Sequence, residues 1–85
     1  MNSKDFPDFE NLLEKLAEQV HIAWMKKRIN DGWSYGKERN DTKKTTPCIV
    51  PYAELPESEK EYDKETARTV INALTALGYS ISRTT

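Results

Sequence analysis

Trp33 and Tyr35 stand two apart in a stretch that also carries Lys37, Arg39, Asp41, Lys43 and Lys44. In an extended segment residues two apart face the same side. The two rings can then flank a planar ligand while the cations meet its phosphate or carboxylate. That is the chemistry of a site for a nucleotide-like or other planar anionic molecule. The alternative is that the rings pack the loop onto neighbouring helices. Arg39 and Asp41 allow the same two readings: a salt bridge that shapes the loop, or a guanidinium that holds an anion through two parallel bonds. Lys44, beside Lys43, is an anion contact or part of a solvated face. Tyr52 and Trp24 complete the candidate ligand-binding set. Trp24 also falls on a helical apolar stripe, so core packing is its competing role.

The remaining chemistry-bearing residues point away from catalysis. His21 is the one histidine, it falls beside the apolar stripe, and no nearby serine, cysteine or carboxylate is paired with it as a triad requires. Cys48, between Pro47 and Ile49, reads as a small buried apolar residue rather than a reactive thiol, which would need an electropositive, accessible setting. No catalytic residue is assigned. One histidine and one cysteine cannot supply a Cys/His metal cluster. The acidic run from Glu54 to Glu65 lacks the dense ligand spacing and central glycine of a calcium loop, so no metal and no cofactor are expected.

The elements that must position these residues follow from periodicity. Phe9, Leu12, Leu13, Leu16, Val20 and Trp24 recur at spacings of three and four, predicting a helix over residues 8–31. Acidic residues crowd its start and Lys26, Lys27 and Arg28 its end, as the helix dipole favours. Gly32 is a left-handed terminator. Residues 32–52 lose the helical period and read as a long ordered connector. Within it Cys48-Ile49-Val50 is β-prone, with Trp33-Ser34-Tyr35 or Tyr79-Ser80-Ile81 as partner. Residues 56–62 read as a short acidic helix. Asp63 then reads as the N-cap of a further helix whose buried stripe is Ala67, Val70, Ile71, Leu74 and Leu77, ended by Gly78. The fold class is mainly α with short β-strands: two main amphipathic helices, a short helix and a long ordered connector. Residues 1–7, where Pro7 suits a helix start, are a lead-in; 8–82 are one domain; 83–85 are a tail.

Eighty-five residues make one domain with a thin core. A formal net charge of −1 argues against nucleic-acid binding, which needs a strong positive field. The apolar runs are only a few residues long, so no membrane span is expected, and the N-terminal residues lack a signal-peptide apolar region. With a lone cysteine, these features lead us to expect a cytoplasmic setting.

Taken together, several segments resemble the ryanodine receptor repeat, or RyR domain. They are Leu16 to Trp24, Arg28-Ile29-Asn30-Asp31-Gly32-Trp33-Ser34-Tyr35-Gly36, Lys43 to Tyr52 with its Thr46-Pro47-Cys48 centre, Leu55-Pro56-Glu57-Ser58-Glu59-Lys60, and Ala73 to Tyr79. The resemblance covers roughly residues 9–81. It implies a mainly helical module with short strands. In the calcium-release channels such repeats occur as tandem cytoplasmic pairs, joined by a phosphorylated linker. The present sequence has one copy and neither that linker nor a membrane segment, so channel activity and phosphoregulation are not implied. It is closer to the stand-alone copies of prokaryotic proteins, for which the family resemblance implies a nucleotide-sensing role.

The expected function is therefore a non-enzymatic binding or sensor module for a nucleotide-like small molecule. The alternative is a protein-interaction module, including a homodimer. Residues 26–44 are net basic and residues 54–65 net acidic, so two copies can pair connector against helix.

Overall fold

The computed structural model describes residues 9–82. The expectations for the lead-in, including Pro7, and for the tail lie outside the described residues. Helix α1 spans Phe9–Asn30, and helix α2 spans Glu57–Ala76. Between them lie strand β1 (Ser34–Tyr35), strand β2 (Thr45–Thr46) and a single 3-10 turn at Tyr52–Glu54. The architecture is mainly α with short strands, as the sequence implies. Among the described residues no helix is long and apolar enough to cross a membrane.

Both helices end in the same way. Gly32 has φ +95°; its N–H donates to the Ile29 carbonyl at 3.0 Å, and the Trp33 N–H donates to the Arg28 carbonyl at 2.9 Å. This is the Schellman arrangement, which needs a residue at positive φ and so favours glycine. Gly78 repeats it, with Tyr79 N–H donating to the Leu74 carbonyl at 3.0 Å. At the first end the motif also has a directional effect: it folds Trp33 back onto the last turn of α1.

The buried line of α1 is Leu13, Ala17 and His21, spaced by four. Phe9, Leu12, Leu16, Val20 and Trp24 flank it, half-buried. His21 thus sits in the core line rather than beside it. Leu13 packs against Ala67 and Ile71 of α2, with Phe9, Leu12, Leu16 and Ile81 around them. Ala17 packs against Tyr52 and Leu55, with Cys48 and Val50 alongside. The Lys64 ammonium meets the Glu14 carboxylate at 3.0 Å and ties the two helices together between these clusters.

Three expectations are corrected. First, residues 57–76 form one helix, so Asp63 is no N-cap; Pro56 occupies that position, without a side-chain cap. Nothing in the segment breaks the helix, and Glu57–Lys60, Glu61–Lys64 and Glu65–Arg68 make three successive i,i+3 ion pairs along it. Such pairs stabilise a helix by about 0.2–0.5 kcal/mol each. Second, the strand that pairs with the Trp33–Tyr35 segment is Thr45–Thr46, not Cys48–Val50, and Tyr79–Ile81 forms no strand. The pair is parallel, with Ser34 opposite Thr45 and Tyr35 opposite Thr46. Pro47 has no N–H to extend the ladder, so pairing stops before Cys48. Third, only Ala67 and Ile71 of the α2 stripe are buried. Val70, Leu74 and Leu77 are 55%, 37% and 73% exposed. Among the described elements α2 has a single helix to pack against, and one helix covers only a narrow strip.

The connector is ordered by its own contacts. A β-carbon on Gly36 would sit 2.6 Å from the Thr45 β-carbon, so only glycine lets β1 and β2 approach this closely. Asn40 and Thr45 exchange backbone hydrogen bonds at 3.0 and 3.1 Å, and the Asn40 side chain accepts from the Lys43 N–H at 3.0 Å. Lys44 takes φ +56°, and its ammonium donates to the Asp31 carbonyl at 3.0 Å, closing the loop onto the end of α1.

The core is thin enough for single truncations to separate core from surface. Leu13→Ala is expected to lower the unfolding free energy by about 2–4 kcal/mol, whereas Leu77→Ala changes it by less than about 0.5 kcal/mol. Urea denaturation followed by far-ultraviolet circular dichroism measures both.

Candidate functional site

His21, Trp24 and Arg28 lie at i, i+3 and i+7 of α1, which puts them on one face. His21 and Trp24 stack at 5.7 Å between ring centroids, with 21° between planes. The Arg28 guanidinium lies over Trp24 at 5.6 Å and over Trp33 at 4.9 Å. Trp33 is available there because the Gly32 turn folds it back. Arg39 then lies over Trp33 at 5.6 Å, and its Nε donates to Asp41 at 2.8 Å. The result is a continuous column, His21–Trp24–Arg28–Trp33–Arg39–Asp41, alternating aromatic and cationic groups from Trp24 to Arg39. Each cation–π contact contributes about 0.5–1 kcal/mol where exposed.

One flank of this column faces a cleft of about 390 Å³. His21, Trp24, Arg28 and Arg39 form one wall. Glu59 and Asp63, four apart on α2, stand with Leu55 on the lining, and Thr46, Pro47 and Cys48 complete it. Two guanidiniums and two carboxylates thus share a small cavity that also has an aromatic wall.

His21 connects the parts. Its Nε2 lies 2.6 Å from the Val50 carbonyl oxygen, and its Nδ1 lies 3.9 Å from the Asp63 carboxylate. A carbonyl can only accept, so Nε2 carries a proton and donates it. Nδ1 then faces Asp63, as a bare nitrogen or, with a second proton, as one half of an ion pair. The Asp63 pKa is raised from its ordinary 3.8 chiefly by burial; His21 opposes this shift and Glu59 adds to it. Burial also raises the Cys48 thiol above its ordinary 9.0, with Glu59 the next contributor. Cys48 is half-buried rather than buried; a thiol raised in this way carries little thiolate and is a poor nucleophile, and the His21 Nε2 is committed to Val50. Among the described residues no three His, Cys, Asp or Glu side chains converge as metal ligands would.

Of the residues singled out in the sequence, the fold brings Trp24, Trp33, Arg39 and Asp41 together. Trp24 and Arg39 line the cleft, Trp33 supports both guanidiniums from behind, and Asp41 orients Arg39. Three others lie elsewhere. Tyr35 is 57% exposed on β1 and off the cleft. It does not share a face with Trp33, because Trp33 belongs to the helix-ending turn and the strand begins one residue later. Lys44 is turned to the Asp31 carbonyl. Tyr52 is buried beside His21, at 6.3 Å between centroids, with Lys60 over its ring. Burial, then the charge of the Glu14 carboxylate, push its hydroxyl pKa up.

Sequence reasoning missed Arg28, Glu59 and Asp63 as site residues. Arg28 was legible, being four residues after Trp24 on the same helix. Glu59 and Asp63 were legible as an i,i+4 pair once the helix is continuous. No sequence signal places Asp63 against His21.

The thiol reports on this environment. Because Cys48 titrates above its ordinary value, less thiolate is present at any given pH below about 9 than for a free cysteine. Alkylation of native protein by iodoacetamide is expected to be slower than that of urea-unfolded protein across that range. Glu59→Gln removes a raising charge and is expected to speed the reaction severalfold at fixed pH. Mass spectrometry of the alkylated fraction against time measures both rates.

The sequence model for the RyR domain matches residues 6–83. The match takes in both helices, the Gly32–Gly36 turn that folds Trp33 back, and every residue lining the cleft. The chain belongs to the RyR domain family.

Proposed function

We propose that the cleft is a binding site for a planar anionic small molecule of nucleotide type, and that the domain works as a binding or sensing module without catalysis. The observation that carries this reading is the placement of Trp24 with two guanidiniums, Arg28 and Arg39, on one wall of a cleft of about 390 Å³. Cavities of roughly 300–1,000 Å³ with a few converging polar groups are the usual size of small-molecule sites.

The wall gives the ligand a direction. An anionic group belongs at Arg28 and Arg39, away from the carboxylates of Glu59 and Asp63. The flat part belongs against Trp24. The carboxylates then favour a ligand edge that donates hydrogen bonds, as the amino edge of adenine does. Both arginines are held in advance, Arg28 between Trp24 and Trp33 and Arg39 by Trp33 and Asp41. Side chains already ordered lose less entropy on binding. The non-enzymatic part rests on the chemistry of the lining: a raised thiol and an imidazole whose Nε2 is bonded to Val50. Nucleotide sensing is also what the family resemblance implies.

The two tryptophans of the chain are both in the column, so intrinsic fluorescence reads the site directly. Titration with adenine nucleotides, linear and cyclic, is expected to give saturable quenching, confirmed by calorimetry. Arg28→Ala is expected to weaken binding at least tenfold, about 1.4 kcal/mol, and Tyr35→Ala, at an exposed position off the cleft, to leave it unchanged. An absence of quenching and of heat across the nucleotide panel at millimolar ligand overturns the reading.

A further inference from the structure

The side chains that α2 brings to the cleft are two carboxylates, Glu59 and Asp63. They stand four apart on one helix face, with about 5–6 Å between β-carbons. Among the described residues the Glu59 carboxylate has no ion pair and no hydrogen bond. Asp63 has one close polar neighbour, the Nδ1 of His21, whose side chain is 4% exposed. The 3.9 Å between them is too long for a hydrogen bond. The Nε2 of His21 donates its proton to Val50, so in the neutral ring Nδ1 is an acceptor as well. This part of the wall therefore presents acceptors with no donor between them.

Such a wall selects a ligand edge by the order of its donors. Two acceptors 3.9 Å apart are bridged by one amino nitrogen, with one hydrogen to each. Glu59, one helical turn away, then takes an N–H beside that amino group. The nucleobases differ in this pattern. Guanine places a ring N–H next to its exocyclic amino group, with no acceptor between. Adenine and cytosine offer the amino group alone, beside a bare ring nitrogen that repels a carboxylate. Uracil sets its N–H between two carbonyls. We propose that the cleft selects guanine, with Glu59 accepting from the ring N–H and Asp63 and His21 Nδ1 together accepting from the amino group. This inference rests on the nucleotide reading of the cleft and adds which base it takes.

The opposite wall agrees with that direction. Arg28 touches two rings and, among the described residues, no carboxylate, so its N–H groups stay open to the anionic end of the ligand. Burial raises the Asp63 pKa, and an accepted hydrogen bond stabilises the charged form that burial disfavours. A site built to pair both groups of the guanine edge rejects an analogue that leaves one of the acceptors unpaired.

Calorimetry and tryptophan fluorescence of the full chain with the monophosphates of guanosine, inosine and adenosine test this, at about pH 8, where an ordinary imidazole is neutral. Inosine keeps the ring N–H of guanosine and lacks only its amino group. The guanosine nucleotide is expected to bind about tenfold or more tightly than either of the others. Asp63→Asn is expected to bring the guanosine and inosine nucleotides to the same affinity. Glu59→Gln, at a half-buried position, is expected to weaken both of these and to leave the adenosine nucleotide unchanged. Equal affinity of the parent for all three, or a preference for inosine or adenosine, overturns the base selection while leaving the nucleotide reading in place. So does a guanosine preference that survives in both variants. Binding of none of the three overturns the selection together with the nucleotide reading.

Discussion

The imidazole of His21 is the point on which the three parts of this domain meet. It projects from α1, donates to the Val50 carbonyl of the connector and faces the Asp63 carboxylate of α2. The Val50 carbonyl is partly withdrawn from water, and a backbone acceptor in that position needs a donor. The short bond to Val50 therefore fixes where the connector returns to the helices. The core around it is small: among the described residues Leu13, Ala17, Tyr52, Leu55, Ala67 and Ile71 are its buried apolar members. In so thin a core, one directional polar contact decides the alignment that apolar packing alone leaves loose. It also sets up the site, because the ring held against Val50 is the ring on which Trp24 stacks.

The column that begins at His21 shows how a local turn builds a distant surface. Without the Gly32 turn, Trp33 would continue away from α1 and Arg28 would lose its second aromatic face. Arg28 is then held on two sides and Arg39 by a ring and a carboxylate. Glu59 and Asp63 line the same cleft without forming an ion pair with either arginine. The raised pKa of Asp63 records the cost of placing a second carboxylate in a partly buried position.

Much of this was legible in the sequence, for physical reasons that can be named. Gly32 and Gly78 mark helix ends because the Schellman turn needs positive φ. The three-and-four spacing from Phe9 to Trp24 reports a helix because one face must be apolar. The clustered Trp33, Arg39 and Asp41 were readable as a unit because they interact within a short loop. What was not legible depends on tertiary placement. Asp63 looks like a cap until its helix is known to begin six residues earlier. Cys48-Ile49-Val50 has the residue types of a strand, but Pro47 denies it the ladder. Val70, Leu74 and Leu77 have the spacing of a core stripe, yet whether a stripe is covered depends on a neighbour that no spacing reveals. Tyr35 and Lys44 have the right chemistry for a site and are aimed elsewhere by one residue of register and one positive φ.

The two arginines of the cleft are held by contacts of different range. Arg28 belongs to the last turns of α1, and its two rings, Trp24 and Trp33, lie within five residues of it in the chain. Arg39 is carried on the Lys37–Lys44 excursion, clipped at its base by the β1–β2 pair and the Lys44–Asp31 contact. Both guanidiniums rest on the same Trp33 ring, which is not itself part of the cleft lining. One ring outside the cavity thus sets the position of two cations inside it, one delivered by the helix and one by the loop.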